Sequence, residues 1–119
     1  MRPVRQARIN DEMRRVLAEA IAHSLKDPRI PAMTSLTDVR VSGDLSQAKC
    51  YVSIYASDAE RKACLEVLRR AEGFLRAEIA RGMRIRLVPD LIFLEDRSIE
   101  EGNRLDRLID EAMGRHERT

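Results

Sequence analysis

With 119 residues, 44% hydrophobic and 35% charged, the chain has the length of one domain and enough apolar side chains for one modest core. Its longest apolar runs fall far short of the ~18 residues a membrane span needs, and the apolar residues after the basic N-terminus are spaced helically, unlike a signal peptide, so a soluble cytoplasmic protein is expected. The net charge of +2 is unevenly spread: residues 1–15 carry five Arg against Asp11 and Glu12, residues 69–86 carry six Arg against Glu72 and Glu78, and residues 87–119 hold nine acids against five Arg. Such polarity suits a protein with one face turned to phosphate, and it equally suits a solvated surface rich in Arg.

Ile9, Met13, Val16, Leu17, Ala20, Ile21 and Leu25 form a continuous stripe at helical spacing and predict a first amphipathic helix. Pro28 disfavours a helical Asp27 and lacks an amide proton, so this helix is expected to end about there. Two alternating runs follow. Thr37, Val39 and Val41 share one face of the first, and Ala48, Cys50, Val52 and Ile54 share one face of the second. The short Gly43-Asp44-Leu45-Ser46 loop between them predicts a β-hairpin with one apolar side and one side bearing Arg40, Lys49, Tyr51 and Tyr55. Tyr51 and Tyr55 offer rings for base stacking, though an ordinary strand surface is the favoured reading of both.

Ser57 with Glu60 three residues later marks a capping box, the start of a second helix. Its stripe runs through Cys64, Leu68, Ala71, Leu75 and Ile79 and stops at Gly82, with Gly73 inside it. A mid-helix Gly costs roughly 0.5–1 kcal/mol relative to Ala, which asks for a reason such as a kink or a close approach. Met83, Ile85 and Leu87 alternate with Arg84 and Arg86 up to Pro89, and Leu91 to Leu94 predict a third strand. Ser98 with Glu101 is a second capping signal, and Leu105, Leu108, Ile109 and Ala112 give a last short helix. The expected plan is a single α+β domain over residues 1–113, helix-strand-strand-kinked helix-strand-helix, followed by a flexible tail over 114–119.

Enzyme chemistry finds little support. His23 and His116 have no partner at a recognisable spacing, no Gly-rich phosphate loop is present, and Cys50 and Cys64 show no zinc pattern, so no catalytic residue, metal or cofactor is expected. The two cysteines read as buried small hydrophobes in a reduced compartment.

Several motifs in one register resemble ribosome-binding factor A, a bacterial ribosome-maturation family. They begin with Arg8-Ile9-Asn10-Asp11-Glu12-Met13-Arg14-Arg15 and the helix exit Leu25-Lys26-Asp27-Pro28-Arg29-Ile30. The hairpin Val41-Ser42-Gly43-Asp44-Leu45-Ser46-Gln47-Ala48-Lys49, continued by Tyr51-Val52-Ser53, is similar as well. So are Gly73-Phe74-Leu75-Arg76, Val88-Pro89-Asp90-Leu91-Ile92-Phe93, Asp96-Arg97-Ser98-Ile99 and the run from Gly102 to Leu108. Ile92 stands where the family also commonly carries Arg. The likeness spans about Arg5 to Ile109.

This resemblance implies a type II KH-like domain, a three-stranded mixed sheet with helices on one face. Ordinary KH domains clamp single strands with a GXXG loop; here Ala71-Glu72-Gly73 fits the family's Ala-x-Gly interruption, which makes Ala71 and Gly73 the kink. The resemblance further implies a monomeric protein, without small-molecule substrate or membrane partner, that binds the small (30S) ribosomal subunit and its 16S ribosomal RNA. It would assist late assembly, processing of the 5′ end of the rRNA precursor, and growth in the cold. On that reading the RNA contacts are Arg69, Arg70, Gly73, Arg76, Arg81, Arg84 and Arg86, with Arg5, Arg8 and Arg15 (and neighbouring Arg14) as a second patch, because the guanidinium fork pairs bidentately with phosphate oxygens. The alternative is a protein-interaction module that docks its partner on the open sheet face.

Overall fold

The computed structural model describes residues 3–97, with side chains from Arg5 onward. Helix α1 spans Pro3–Glu19, strand β1 Thr34–Val41, β2 Gln47–Ile54, α2 Asp58–Arg70, α3 Glu72–Gly82 and β3 Asp90–Glu95. The expected last helix and the tail lie outside the described residues. Within them the order and the α+β class are those read from the sequence.

The apolar stripe of α1 places Met13 and Leu17 fully inside the core. The helix ends earlier than Pro28 suggested. Ala20–Ser24 widen into a π turn, closed by the Leu25 amide donating to the Ala20 carbonyl at 2.8 Å, and Leu25 is already extended at φ −89 ψ 99. Asp27 then organises the exit, accepting from the Arg29 amide at 2.9 Å and from its guanidinium at 3.0 and 2.8 Å. These hydrogen bonds and the adjacent charge hold its carboxyl down at about 2.

β1 and β2 pair antiparallel, and β2 pairs with β3 in parallel, giving the mixed order β1-β2-β3. Ala48, Cys50, Val52 and Ile54 turn inward as the alternation predicts. β1 departs from it. The register shifts between Leu36 and Asp38, so Leu36, Val39 and Val41 are buried while Thr37 is exposed. The bulge frees the Thr37 hydroxyl to reach the Tyr51 carbonyl at 3.2 Å and the Asp96 carboxylate at 2.6 Å. In the hairpin loop the residue with positive φ is Leu45, at 62°.

The capping box of α2 is complete: the Ser57 hydroxyl accepts from the Glu60 amide at 3.2 Å, and the Glu60 carboxylate accepts from the Ser57 amide at 3.2 Å. Leu68, Leu75 and Ile79 are fully buried. α1 packs over β1, and α2 and α3 over β3, all on one face of the sheet. Phe93, fully buried on β3, is the large side chain between the layers. Residues 83–89 form no strand; they are a loop in which Met83 and Pro89 are buried and Leu87 is exposed.

Candidate nucleic-acid interface

The helix interruption falls at Ala71, at φ −85 ψ 7. Its amide divides between the Val67 and Leu68 carbonyls at 3.0 and 3.2 Å, and its own carbonyl accepts from Leu75 at 2.9 Å, so the chain bends with almost no loss of backbone hydrogen bonds. Gly73 is the second residue of α3, is exposed, and among the described residues has nothing within 4 Å of where a Cβ would stand. Close approach of a neighbouring element therefore does not account for this glycine.

The bend sits beside the outer edge of β3. The Glu72 carboxylate accepts the Leu91 amide at 2.8 Å. Arg69 donates to the Phe93 carbonyl at 2.9 Å. Arg76 donates to the Pro89 and Val88 carbonyls at 3.1 and 2.8 Å and lies 4.0 Å from the Asp90 carboxylate. An open strand edge exposes unpaired amides and carbonyls; here three side chains of the bent helix occupy part of it. The sequence singled out Arg69 and Arg76 for phosphate, and the structure shows each already engaged within the fold.

The other arginines divide clearly. Arg70 faces Glu66 at 3.8 Å, Arg81 pairs with Glu78, and Arg14 and Arg15 share Asp11 at 3.1 and 3.5 Å. Arg5 and Arg8 on α1, and Arg84 and Arg86 in the loop before β3, are exposed and have no ion-pair partner among the described residues. Arg61, missed by the sequence reading, is 9% exposed and binds the Glu95 carboxylate at 2.7 Å, the Ala56 carbonyl at 2.7 Å and Asp58. Its place in a helix of alternating charge gave no sign of this.

On the outer sheet face the Arg40 guanidinium lies 5.7 Å from the Tyr51 ring centre and pairs with Asp38 at 2.9 Å. Tyr51 is half-buried and Tyr55 exposed. Cys50 and Cys64 are free and buried, and burial pushes the Cys50 thiol up to about 12. Among the described residues no group of three His, Cys, Asp or Glu is arranged to hold a metal, and no helix is long and apolar enough to cross a membrane.

Fold and surface together define a class: a small helix-backed α+β domain with a mixed sheet, a bent helix along one sheet edge, and, among the described residues, arginines without an ion pair in two segments. The family model of ribosome-binding factor A matches residues 5–109. The chain belongs to that family. It is 45% identical over 108 residues to the ribosome-binding factor A of Anaeromyxobacter, covering 91% of this chain and 88% of the relative. The crystal structure of the Thermus thermophilus factor superposes with a TM-score of 0.70 at 35% identity, over 78% of this chain and 98% of that one. A homology model of the Thermus factor, fitted into a cryo-EM map of its complex with the 30S subunit, matches with a TM-score of 0.62 at 35% identity, over 74% of this chain and 91% of that one.

Proposed function

We propose that this ribosome-binding factor attaches to the small ribosomal subunit and its 16S rRNA in the cytoplasm, acting as a monomer that binds without catalysing. There it assists late assembly and the processing of the 5′ end of the rRNA precursor, and it supports growth in the cold. The observation that carries the reading is the family match from residue 5 to 109, joined to a Thermus relative described in complex with the 30S subunit. Arginine-rich segments supply the matching chemistry, because cationic side chains on RNA displace condensed counterions and drive association. The basic segments offer Arg5, Arg8, Arg15, Arg69, Arg70, Arg76, Arg81, Arg84 and Arg86, with the backbone at Gly73 beside the Ala71 bend, as the pool of candidates, and those held in ion pairs or on backbone carbonyls are the weaker ones. Such contacts position a protein on RNA by shape and carry no base sequence.

Gradient sedimentation of a lysate tests the attachment: the tagged protein is expected to travel with free small subunits and not with large ones. A strain lacking the gene tests the role, with accumulation of 16S precursor extended at its 5′ end, more severe in the cold and reversed by the intact gene. Protein that stays at the top of the gradient, or normal precursor processing in the deletion strain, would contradict the proposal.

A further inference from the structure

Not every arginine of the two basic segments is available to a phosphate. Arg69 gives one guanidinium donor to the Phe93 carbonyl and Arg76 two to those of Val88 and Pro89, which fixes both side chains along the fold. Arg70 and Arg81 each stand within one turn of an acid that offsets their charge. Arg5, Arg8, Arg84 and Arg86 are the exposed arginines of these segments with neither an ion pair nor a hydrogen bond to the fold among the described residues; Arg69 is exposed and unpaired by any acid too, but is tied to the Phe93 carbonyl.

These four lie at the same end of the sheet, although nearly eighty residues separate them along the chain. Gln6 donates to the Val41 carbonyl, and Asn10 accepts from the Val41 amide at 2.9 Å, so the first turns of α1 cross the C-terminal end of β1. Val41 pairs with Ala48, and Ala48 with Leu91; the start of β3 is therefore two strand spacings away, about 10 Å. The loop carrying Arg84 and Arg86 delivers the chain to that start, where the Asp90 amide donates to the Ser46 carbonyl at 3.0 Å. Side of helix agrees with end of sheet. Arg5, Ile9 and Val16 fall on one side of α1 by helical spacing, and a Cβ on Gly82 would stand 3.0 Å from Val16 Cγ1. The 83–89 loop thus leaves α3 on the side of α1 that Arg5 flanks.

Acids nearby cancel only part of this charge. The Asp44 carboxylate is held inside its own loop by the Ser46 amide and hydroxyl and the Ser42 hydroxyl. Asp90 faces Arg76, and Asp11 is shared by Arg14 and Arg15. Glu12 on α1 and Asp44, whose bonds to Ser42 and Ser46 leave its charge in place, remain as exposed negative charges against the four arginines.

We infer that the sugar-phosphate chain of the RNA is gripped at this end of the sheet by Arg5, Arg8, Arg84 and Arg86, while Arg69 and Arg76 are positioning residues that hold the β3 edge against the bent helix. The inference rests on the RNA-binding reading and divides its candidate contacts in two. Four phosphate contacts give log-affinity falling with log-salt at a slope of about −3, each contact supplying roughly 0.7–0.9.

The test measures affinity of the intact chain for purified small subunits as salt is raised. Three variants are compared with the parent: Arg84→Gln with Arg86→Gln, Arg5→Gln with Arg8→Gln, and Arg70→Gln with Arg81→Gln. Each of the first two pairs is expected to flatten the slope by about 1.5, and the third to leave it nearly unchanged. A fourth variant, Arg69→Met with Arg76→Met, is expected to lower the melting temperature while the slope of its folded fraction stays near the parent's. A parent that binds with a steep slope untouched by the first two pairs overturns this inference alone. A parent that fails to bind in dilute buffer overturns the RNA-binding reading itself.

Discussion

Replacing Arg61 by Met isolates what its buried charge contributes, because Met keeps an unbranched apolar stem of similar reach and removes the guanidinium. The Arg61 side chain is 11% exposed and that of Glu95 22%, at 2.7 Å from each other. Asp58, also on Arg61, is 89% exposed and adds little, as surface ion pairs do. Breaking a buried pair from one side costs about 3–5 kcal/mol when the survivor is sealed from water. Glu95 keeps some access to solvent, which lowers the electrostatic part to about 2 kcal/mol; the lost hydrogen bond to the Ala56 carbonyl adds about 1. The expected loss of about 3 kcal/mol corresponds to a fall in melting temperature of about 12–18 °C in a domain of this size.

Urea unfolding followed by circular dichroism measures this loss, and the double variant Arg61→Met with Glu95→Met completes a thermodynamic cycle. The double variant should be at least ~1 kcal/mol more stable than the two single losses added together, since it leaves no orphaned carboxylate. Molar salt should hardly change the Arg61→Met difference, because buried pairs are poorly screened. A single variant within ~0.5 kcal/mol of the parent would show that the stem alone matters, and the ion-pair reasoning would fail.

Gly82→Ala places a methyl 3.0 Å from Val16 Cγ1 and is expected to cost about 1 kcal/mol by crowding; Val16→Ala should relieve most of that in the double variant, and a stabilised Gly82→Ala would contradict it. The Asp44 carboxyl is held at about 2, against an ordinary 3.8, chiefly by the Ser46 hydroxyl, then by the Ser46 amide and the Ser42 hydroxyl. Its folded value lies below its unfolded one, so the loop's share of stability is full above the ordinary carboxylate range and is lost as pH falls towards 2. Ser46→Ala should move the Asp44 titration upward in carboxyl-detected NMR, and an unmoved titration would reject the assignment. Burial raises both thiols, that of Cys50 to about 12, so Ellman's reagent at pH 8 should label the native protein far more slowly than the chain in guanidinium; rapid labelling of two native thiols would contradict the packing.

The sequence displayed whatever depends on near neighbours. The stripe from Ile9 to Leu17, the Ser57–Glu60 box and the alternation from Ala48 to Ile54 are set by helical or pleated periodicity, and each appears where the spacing put it. Features fixed by distant partners were hidden. Thr37 leaves the inner face because its hydroxyl meets Tyr51 and Asp96, a contact across strands that alternation within β1 cannot encode. In the hairpin Gly43 is the residue that sequence favours for a left-handed turn, yet Leu45 adopts it; the loop's hydrogen bonds to Asp44 and Ser42 impose that choice. The arginines show the same limit most plainly. Arg69, Arg76, Arg84 and Arg86 look alike in the chain, and only the fold separates those that bond to carbonyls of β3 and the loop before it from those with no such bond.

Affinity for purified small and large ribosomal subunits, measured in parallel at several salt concentrations, tests the central claim most directly. Tight binding to the small subunit alone is expected, weakening about sixtyfold between 50 and 200 mM salt for a slope of about −3. Equal affinity for both subunits, or small-subunit binding indifferent to salt, would contradict it.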